Sequence, residues 1–278
     1  MNAQAALEAI VADAVRGNIV FPTHADIALR VRRLLDDPDC PAEQLSRLVA
    51  AEPMLTAHVV AIANSAAYNP AGRKASDVRS AVTRLGFNTL RSLTAAVIVR
   101  QMASLPVRSE YRALAARLWQ HSAHVAALSR VIAARVTHLD PEVAFFAGIV
   151  HEIGGFYLIA RADAFPGLLD SSLEHWLGEH EATVGRSVLT ALDVPETVRQ
   201  AIDALWEGYL SLPARSLGDT LLLADQLTPV ESPLAELSGM GNRGLLADIN
   251  QQVDGEELRT ILADSANEVA TLIAALHA

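Results

Sequence analysis

The chain has 278 residues, 51% of them hydrophobic and 5% aromatic, with a single cysteine and a formal net charge of −10. That length fits one large domain or two small ones, and one cysteine excludes an internal disulfide framework and fits a reducing compartment. The acidic balance argues against general nucleic-acid affinity, and the longest apolar runs, Leu93 to Val99 and Val143 to Val150, fall short of the ~18 residues a membrane span needs.

Ala and Leu dominate, while Gly and Pro are scattered, which favours an all-α protein. Ala3 to Arg16 has helical spacing and stops at Gly17-Asn18; with Glu8 and Asp13 and no basic leader it is not a secretory signal. The expected location is therefore the cytoplasm. Phe21-Pro22-Thr23 is a break, with Thr23 as N-cap of a helix through Leu35. Asp36-Asp37-Pro38-Asp39 ends that helix. Pro41 and Pro53 stand where first helical turns begin, ahead of helices over Ala42 to Ala50 and Met54 to Ala67. Tyr68 to Ser76 is a polar loop. Asp77 caps a short helix ending at Gly86, and Asn88 to Ala103 carries a long apolar face.

Arg108 to Arg135 reads as one long helix. Asp140 and Pro141 open the next, and Val143 to Ile159 is apolar on nearly all sides, the mark of a buried central helix. Helices over Glu179 to Leu192, Pro195 to Trp206 and Leu217 to Leu227 follow. Leu234 to Asn250 is broken by glycines, and Glu256 to Leu276 closes the chain as a helix. No run shows the period-2 alternation of a strand. The expected architecture is two helical lobes, residues 1–109 and 110–278.

Charge is unevenly spread. Residues 73–135 hold eleven Lys and Arg against two acids, a net +9, and the remainder is −19. Solvated helix faces are the ordinary explanation for such arginines; an anion-facing or acidic-partner surface is the sharper one.

The candidate chemistry lies in the second lobe. His151-Glu152 sits inside Ala147-Gly148-Ile149-Val150-His151-Glu152-Ile153-Gly154, where the pattern predicts burial. Charged groups are seldom buried unless paired or bound to metal. His121 shares a helical face with Val125, Leu128 and Ile132, and Asp225 ends the apolar run Leu221-Leu222-Leu223-Ala224. Two imidazoles and two carboxylates could hold a divalent transition metal, which would lower the pKa of a bound water. A metal-free polar network tying three helices together is the competing reading. His124, His138, His175 and His277 read as ordinary core or surface histidines; His180 opens a helix and could reach the site or face solvent. Cys40 has no base partner, Gly239-Met240-Gly241 is too short for a phosphate loop, and Trp119, Trp176 and Trp206 read as core or interface anchors.

The ordered segments Phe21-Pro22-Thr23-His24, Ala63-Asn64-Ser65-Ala66, Ala81-Val82-Thr83-Arg84-Leu85-Gly86, Leu118-Trp119-Gln120-His121-Ser122 and Gly148-Ile149-Val150-His151-Glu152-Ile153-Gly154 resemble the HDOD proteins. These are a branch of the HD phosphohydrolase superfamily found in bacterial signalling, and the resemblance runs from Phe21 to Pro229. It implies an HD-like helical domain with an N-terminal helical lobe packed on it. In catalytic HD enzymes the positions matching His121, His151, Glu152 and Asp225 bind metal. Here Glu replaces the Asp of the His-Asp pair, and Ala204-Leu205-Trp206-Glu207 lacks the His-His pair that some HD enzymes use, which speaks against a second metal. Asn64 and Ser65 read as structural, closing a helix end.

HDOD proteins are in general non-catalytic. The resemblance thus implies a regulatory module with no cofactor, acting by protein–protein or small-ligand binding. Its partners would be signalling proteins, of a cyclic-dinucleotide or two-component pathway, with motility or biofilm outputs. The rival expectation is a metal-dependent phosphohydrolase for a nucleotide or related phosphoester, with arginines of the middle stretch holding phosphate. A third is a ligand sensor with its pocket at the vestigial site.

Overall fold

The computed structural model describes residues 3–21, 26–37, 39–165, 168–169, 180–208, 213–237 and 255–277, and among them there is no strand. The helices are α1 (Ala3–Val15), α2 (Asp26–Leu35), α3 (Ala42–Ala50), α4 (Pro53–Ala63), α5 (Val78–Ser104), α6 (Ser109–Ile132), α7 (Pro141–Val150), α8 (Ile153–Arg161), α9 (Glu181–Ala191), α10 (Glu196–Glu207), α11 (Leu217–Leu227), α12 (Pro233–Leu237), α13 (Gly255–Asp264) and α14 (Ala266–Leu276). The Thr23 cap, the rest of 22–25, His175, Trp176 and the 239–241 glycines lie outside the described residues.

Local chemistry sets most boundaries. The Glu52 carboxylate accepts the amide of Leu55 ahead of Pro53, and Asp77 accepts the amide of Ser80 at 2.9 Å. Asp140 accepts the amide of Glu142 at 2.9 Å, with Pro141 in the first turn of α7. Ser216 and Asp219 form a reciprocal capping box at α11. Gly86, at φ 72° and ψ 176°, breaks α5 into a short and a long arm, a backbone position that suits glycine. Asn64 closes α4 by pairing with Ala75 in both directions, Nδ2 donating to its carbonyl at 3.0 Å and Oδ1 accepting its amide at 2.7 Å.

Several elements differ from expectation. Helix α4 ends at Ala63 rather than Ala67, and the single closing helix expected over Glu256 to Leu276 is two, α13 and α14, parted at Ser265. The long helix expected to Arg135 ends as regular α-helix at Ile132 and is continued by a wider π turn over Ala133–Thr137 that closes on left-handed His138. The single central helix expected over Val143 to Ile159 is two helices, α7 and α8, parted at His151-Glu152. At the break His151 turns its ring back onto the carbonyl of Gly148, serving an acceptor at the helix end. The run 141–164 is apolar enough to pass as a membrane span by composition, yet 89% of its most apolar 18-residue stretch is buried inside the fold.

The core is continuous from Ala6 to Leu276. Helix α5 packs on α2, α3 and α4 and also on α7 and α8; α1 lies on α9, and α14 lies across α4 and α6. Helices α6 and α7 pack along one another, with α11 on the open side of both. That three-helix contact positions the site.

The basic excess of residues 73–135 divides in two. Arg84, Arg91 and Arg130 are half-buried and bonded, Arg84 to the carbonyls of Ala63 and Arg73, Arg91 to Leu35 and Asp36, and Arg130 to Glu142 and Glu268. Arg100 stacks over Trp119, 5.5 Å from the ring centre. Arg73, Lys74, Arg79, Arg108, Arg112, Arg117 and Arg135 are exposed.

Candidate functional site

His121 projects from the middle of α6, His151 and Glu152 from the break between α7 and α8, and Asp225 from α11. The structure brings all four together. His121 Nε2 lies 3.2 Å from His151 Nε2, 3.2 Å from Asp225 Oδ1 and 3.9 Å from Glu152 Oε1. Ligand atoms of His121, His151 and Glu152 fall within 4.8 Å of one another. Both rings are buried, at 1% and 2% exposure, Glu152 is at 8%, and Asp225 is half-buried.

The outer nitrogens fix the chemistry of the inner ones. His121 Nδ1 lies 2.7 Å from the carbonyl of Val230, and His151 Nδ1 lies 2.8 Å from the carbonyl of Gly148. A carbonyl only accepts, so each Nδ1 carries a hydrogen. In the neutral rings both Nε2 atoms are then bare lone pairs, facing each other across 3.2 Å. Two lone pairs at that range repel, and one positive charge between them removes the conflict. A proton can supply it, held on His121 and shared with His151 or Asp225. A divalent metal can also supply it. Two nitrogens on one tetrahedral ion, each at about 2.0–2.1 Å, stand about 3.3 Å apart, so the observed spacing fits. Glu152 Oε2 adds a buried carboxylate oxygen with no hydrogen-bond partner, and the second-nitrogen bonds to backbone carbonyls are the usual support of ligating histidines.

The electrostatics agree with a centre built for a single positive charge. Burial works against a charge on His121, but the hydrogen bond and charge of Asp225, with that of Glu152, outweigh it and raise its pKa. Burial and then the neighbouring His121 hold His151 below the ordinary value. The pair therefore takes one proton readily and a second with difficulty.

Sequence reading missed three contributors. Val230 and Gly148 act through backbone carbonyls, which leave no side-chain signal. Ser232, whose hydroxyl donates to Glu152 Oε1 at 2.7 Å, stands in the unremarkable run Glu231-Ser232-Pro233. The remaining histidines lie apart from the centre where the structure gives their contacts. His124 donates to the Gln120 carbonyl at 2.8 Å, His138 closes the π turn and His277 lies 6.5 Å from the ring centre of Trp119. His180 is half-buried at the start of α9. Cys40 is buried, and burial followed by the charge of Asp37 raises its thiol pKa, the opposite of an activated nucleophile. Trp119 packs edge-on to Phe156, and Trp206 fills the space beside Gly185.

A family model for the HDOD domain matches residues 21–207. Solved structures with the same fold include a candidate metal-dependent phosphohydrolase from Shewanella amazonensis SB2B, 22% identical, with 99% of each chain covered and a TM-score of 0.72. An HDOD domain protein of unknown function from Geobacter sulfurreducens is also 22% identical, covering 98% of this chain and 97% of that one, with a TM-score of 0.59. A candidate signal transduction protein from Marinobacter aquaeolei VT8 is 20% identical, covering 99% of this chain and 66% of that one, with a TM-score of 0.61. No curated protein matches the sequence.

Proposed function

The chain belongs to the HDOD domain family, and from that premise we propose that it is a regulatory module of signal transduction, working by binding rather than by turnover. The observation that carries this reading is the closure of the centre. Both imidazoles are buried, and the carbonyl of Val230 and the hydroxyl of Ser232 stand on two of the ligand side chains from outside. A hydrolytic metal centre keeps an open position for water and substrate. In this reading the centre is a pin joining α6, α7 and α11. The module's output is a protein partner, a component of a signalling pathway, met through exposed helix faces and steered by the uneven charge.

His121, His151, Glu152 and Asp225 are the residues that would hold a divalent transition metal in the pin. When bound there, such an ion would supply Lewis acidity and a water of lowered pKa. The converging nitrogens and the unpartnered Glu152 oxygen favour this donor set, and they sustain a second reading as a metal-dependent phosphohydrolase for a nucleotide or related phosphoester.

The test is elemental analysis of the purified chain after exposure to Mn²⁺, Fe²⁺ or Zn²⁺, beside His151→Ala, with phosphomonoester and phosphodiester hydrolysis measured on the same samples. The regulatory reading expects no hydrolysis at any loading. Metal-dependent turnover that disappears in His151→Ala would establish the hydrolase instead.

A further inference from the structure

Residues 228–237 run from the end of α11 through α12 and touch the centre at successive points. The carbonyl of Val230 takes the Nδ1 hydrogen of His121. Two residues on, the Ser232 hydroxyl donates to Glu152 Oε1. Leu234 is fully buried, with Cδ1 over Gly155 so tightly that a Cβ at Gly155 would stand 2.3 Å from it. Glu236 then closes the run with an ion pair to Arg117 of α6 at 2.5 Å. So every second residue from 230 to 236 is fastened, the first two to the centre and the last two to the helices that carry it.

Resting on the reading of the centre as a cation site, we propose that residues 228–237 are a positioning strap whose closure and the occupancy of the centre are thermodynamically linked. The link is chemical. Val230 holds the hydrogen of His121 on Nδ1, and that is what leaves the Nε2 lone pair facing His151. Ser232 holds the Glu152 carboxylate, leaving Oε2 as the spare oxygen. If the strap lifts, His121 is free to rotate or change tautomer, and Glu152 is free to turn to solvent. The donor set then loses its alignment, and an ion held by it leaves faster. Linkage runs in both directions, so a cation that prefers the aligned donors also holds the strap down. Gly155 is part of the device, since any larger residue would displace Leu234. Val230 and Ser232 are positioning residues, acting on the cation only through His121 and Glu152.

The experiment is hydrogen–deuterium exchange on the full chain with and without Mn²⁺ or Zn²⁺, together with the affinity for each ion. Three variants are compared: Ser232→Ala, Leu234→Ala and Glu236→Gln. The last touches no donor of the centre and lies on the surface, so it reports on the strap even where Leu234→Ala fails to fold. Expected is slower exchange over 228–237 in the native chain on addition of the ion. Exchange over that segment rises in all three variants while α6 and α7 stay protected. Loss of one outer hydrogen bond in Ser232→Ala lowers ion affinity about ten-fold, the lower end of what such partners contribute. An ion that binds the native chain without slowing exchange at 228–237, or that binds Ser232→Ala and Glu236→Gln as tightly as the native chain, overturns the strap and leaves the cation site standing. Failure of both ions to bind the native chain and all variants overturns the cation site, and the linkage falls with it.

Discussion

Gly148 and Ala126 set the distance between the two helices that carry the histidine pair. A Cβ on Gly148 would stand 2.4 Å from the α-carbon of Ala126 and 2.8 Å from its backbone nitrogen, so α6 and α7 approach backbone to backbone. Five residues along α6 from that contact stands His121, and three residues along from Gly148 stands His151. Gly148→Ala must therefore push the helices apart. The expected cost is about 1–3 kcal/mol, as for overpacked cores, read in a urea melt. On the cation-site proposal, weaker ion binding should accompany it, because the nitrogens separate; a variant of unchanged stability would show that the helices slide freely.

Tyr68, Thr89 and Arg130 converge on one carboxylate. The Tyr68 and Thr89 hydroxyls donate to Glu142 Oε2 at 2.5 and 2.7 Å, and Arg130 reaches Oε1 at 3.3 Å while also pairing with Glu268 of α14. The Tyr68 pKa is raised by burial and by the charge of Glu142, so the phenol stays a donor. Glu142→Ala strands the Tyr68 hydroxyl in a largely buried place and takes one of two partners from Thr89, which keeps the Leu85 carbonyl, and from Arg130, which keeps Glu268. The expected loss is roughly 2–4 kcal/mol, against about 1 kcal/mol for Tyr68→Phe, which leaves the carboxylate two partners. Thermal melts of the two variants check the order.

His58 is buried in α4, and its Nδ1 has no hydrogen-bond partner. Burial, then the charge of Arg100, holds its pKa below the ordinary 6.5. The unfolded chain therefore binds this proton at a higher pH than the folded one does. Its share of stability is complete above about pH 6.5 and is lost as the pH falls from there through the folded value. His151 and His277 are lowered as well and act in the same direction. His58→Leu should flatten the fall in stability below pH 6.5 without removing it; an unchanged slope in chemical melts across pH 5–8 would show that His58 does not carry the proton.

Asn64 bonds the carbonyl and the amide of Ala75 together, so Asn64→Ala takes both of these bonds from the far end of the loop. The expected cost is about 1–3 kcal/mol, with any ion binding at the proposed cation site, to which Asn64 contributes no ligand, unaffected. A calorimetric melt beside an ion titration separates the two.

Much of this arrangement is legible in the residues. Asp77, Asp140 and Gly86 mark helix ends by short-range chemistry, and each stands where such residues end helices in the structure. His121, His151, Glu152 and Asp225 stood out because polar groups in apolar runs demand an explanation, and they do meet. The break between α7 and α8 leaves no sequence signal because apolar residues on both sides of His151 continue the helical pattern; in the structure the ring's bond back to Gly148 sits at that break. Val230 and Ser232 were hidden for a different reason. A backbone carbonyl has no sequence signature, and closeness across the 109 residues from His121 to Val230 is a property of the fold. His58 carries no clear sequence signal because two polar residues, Thr56 and His58, within Leu55 to Ile62 leave the helix largely apolar.

Helix α14 lies across α4 and α6, and the Thr271 hydroxyl takes the amide hydrogen of Ala66, 205 residues earlier. Leu272 and Leu276 are fully buried in the same core as Leu55 and Ile62. For a chain made from its N-terminus, this sets an order of events. Helices α4 and α6 leave the ribosome with an apolar seam still open, and it stays open until residues 266–276 have been synthesised. At about 5–20 residues per second that interval is on the order of ten seconds, long enough for the uncovered face to meet a chaperone or a second nascent chain before its own last helix arrives.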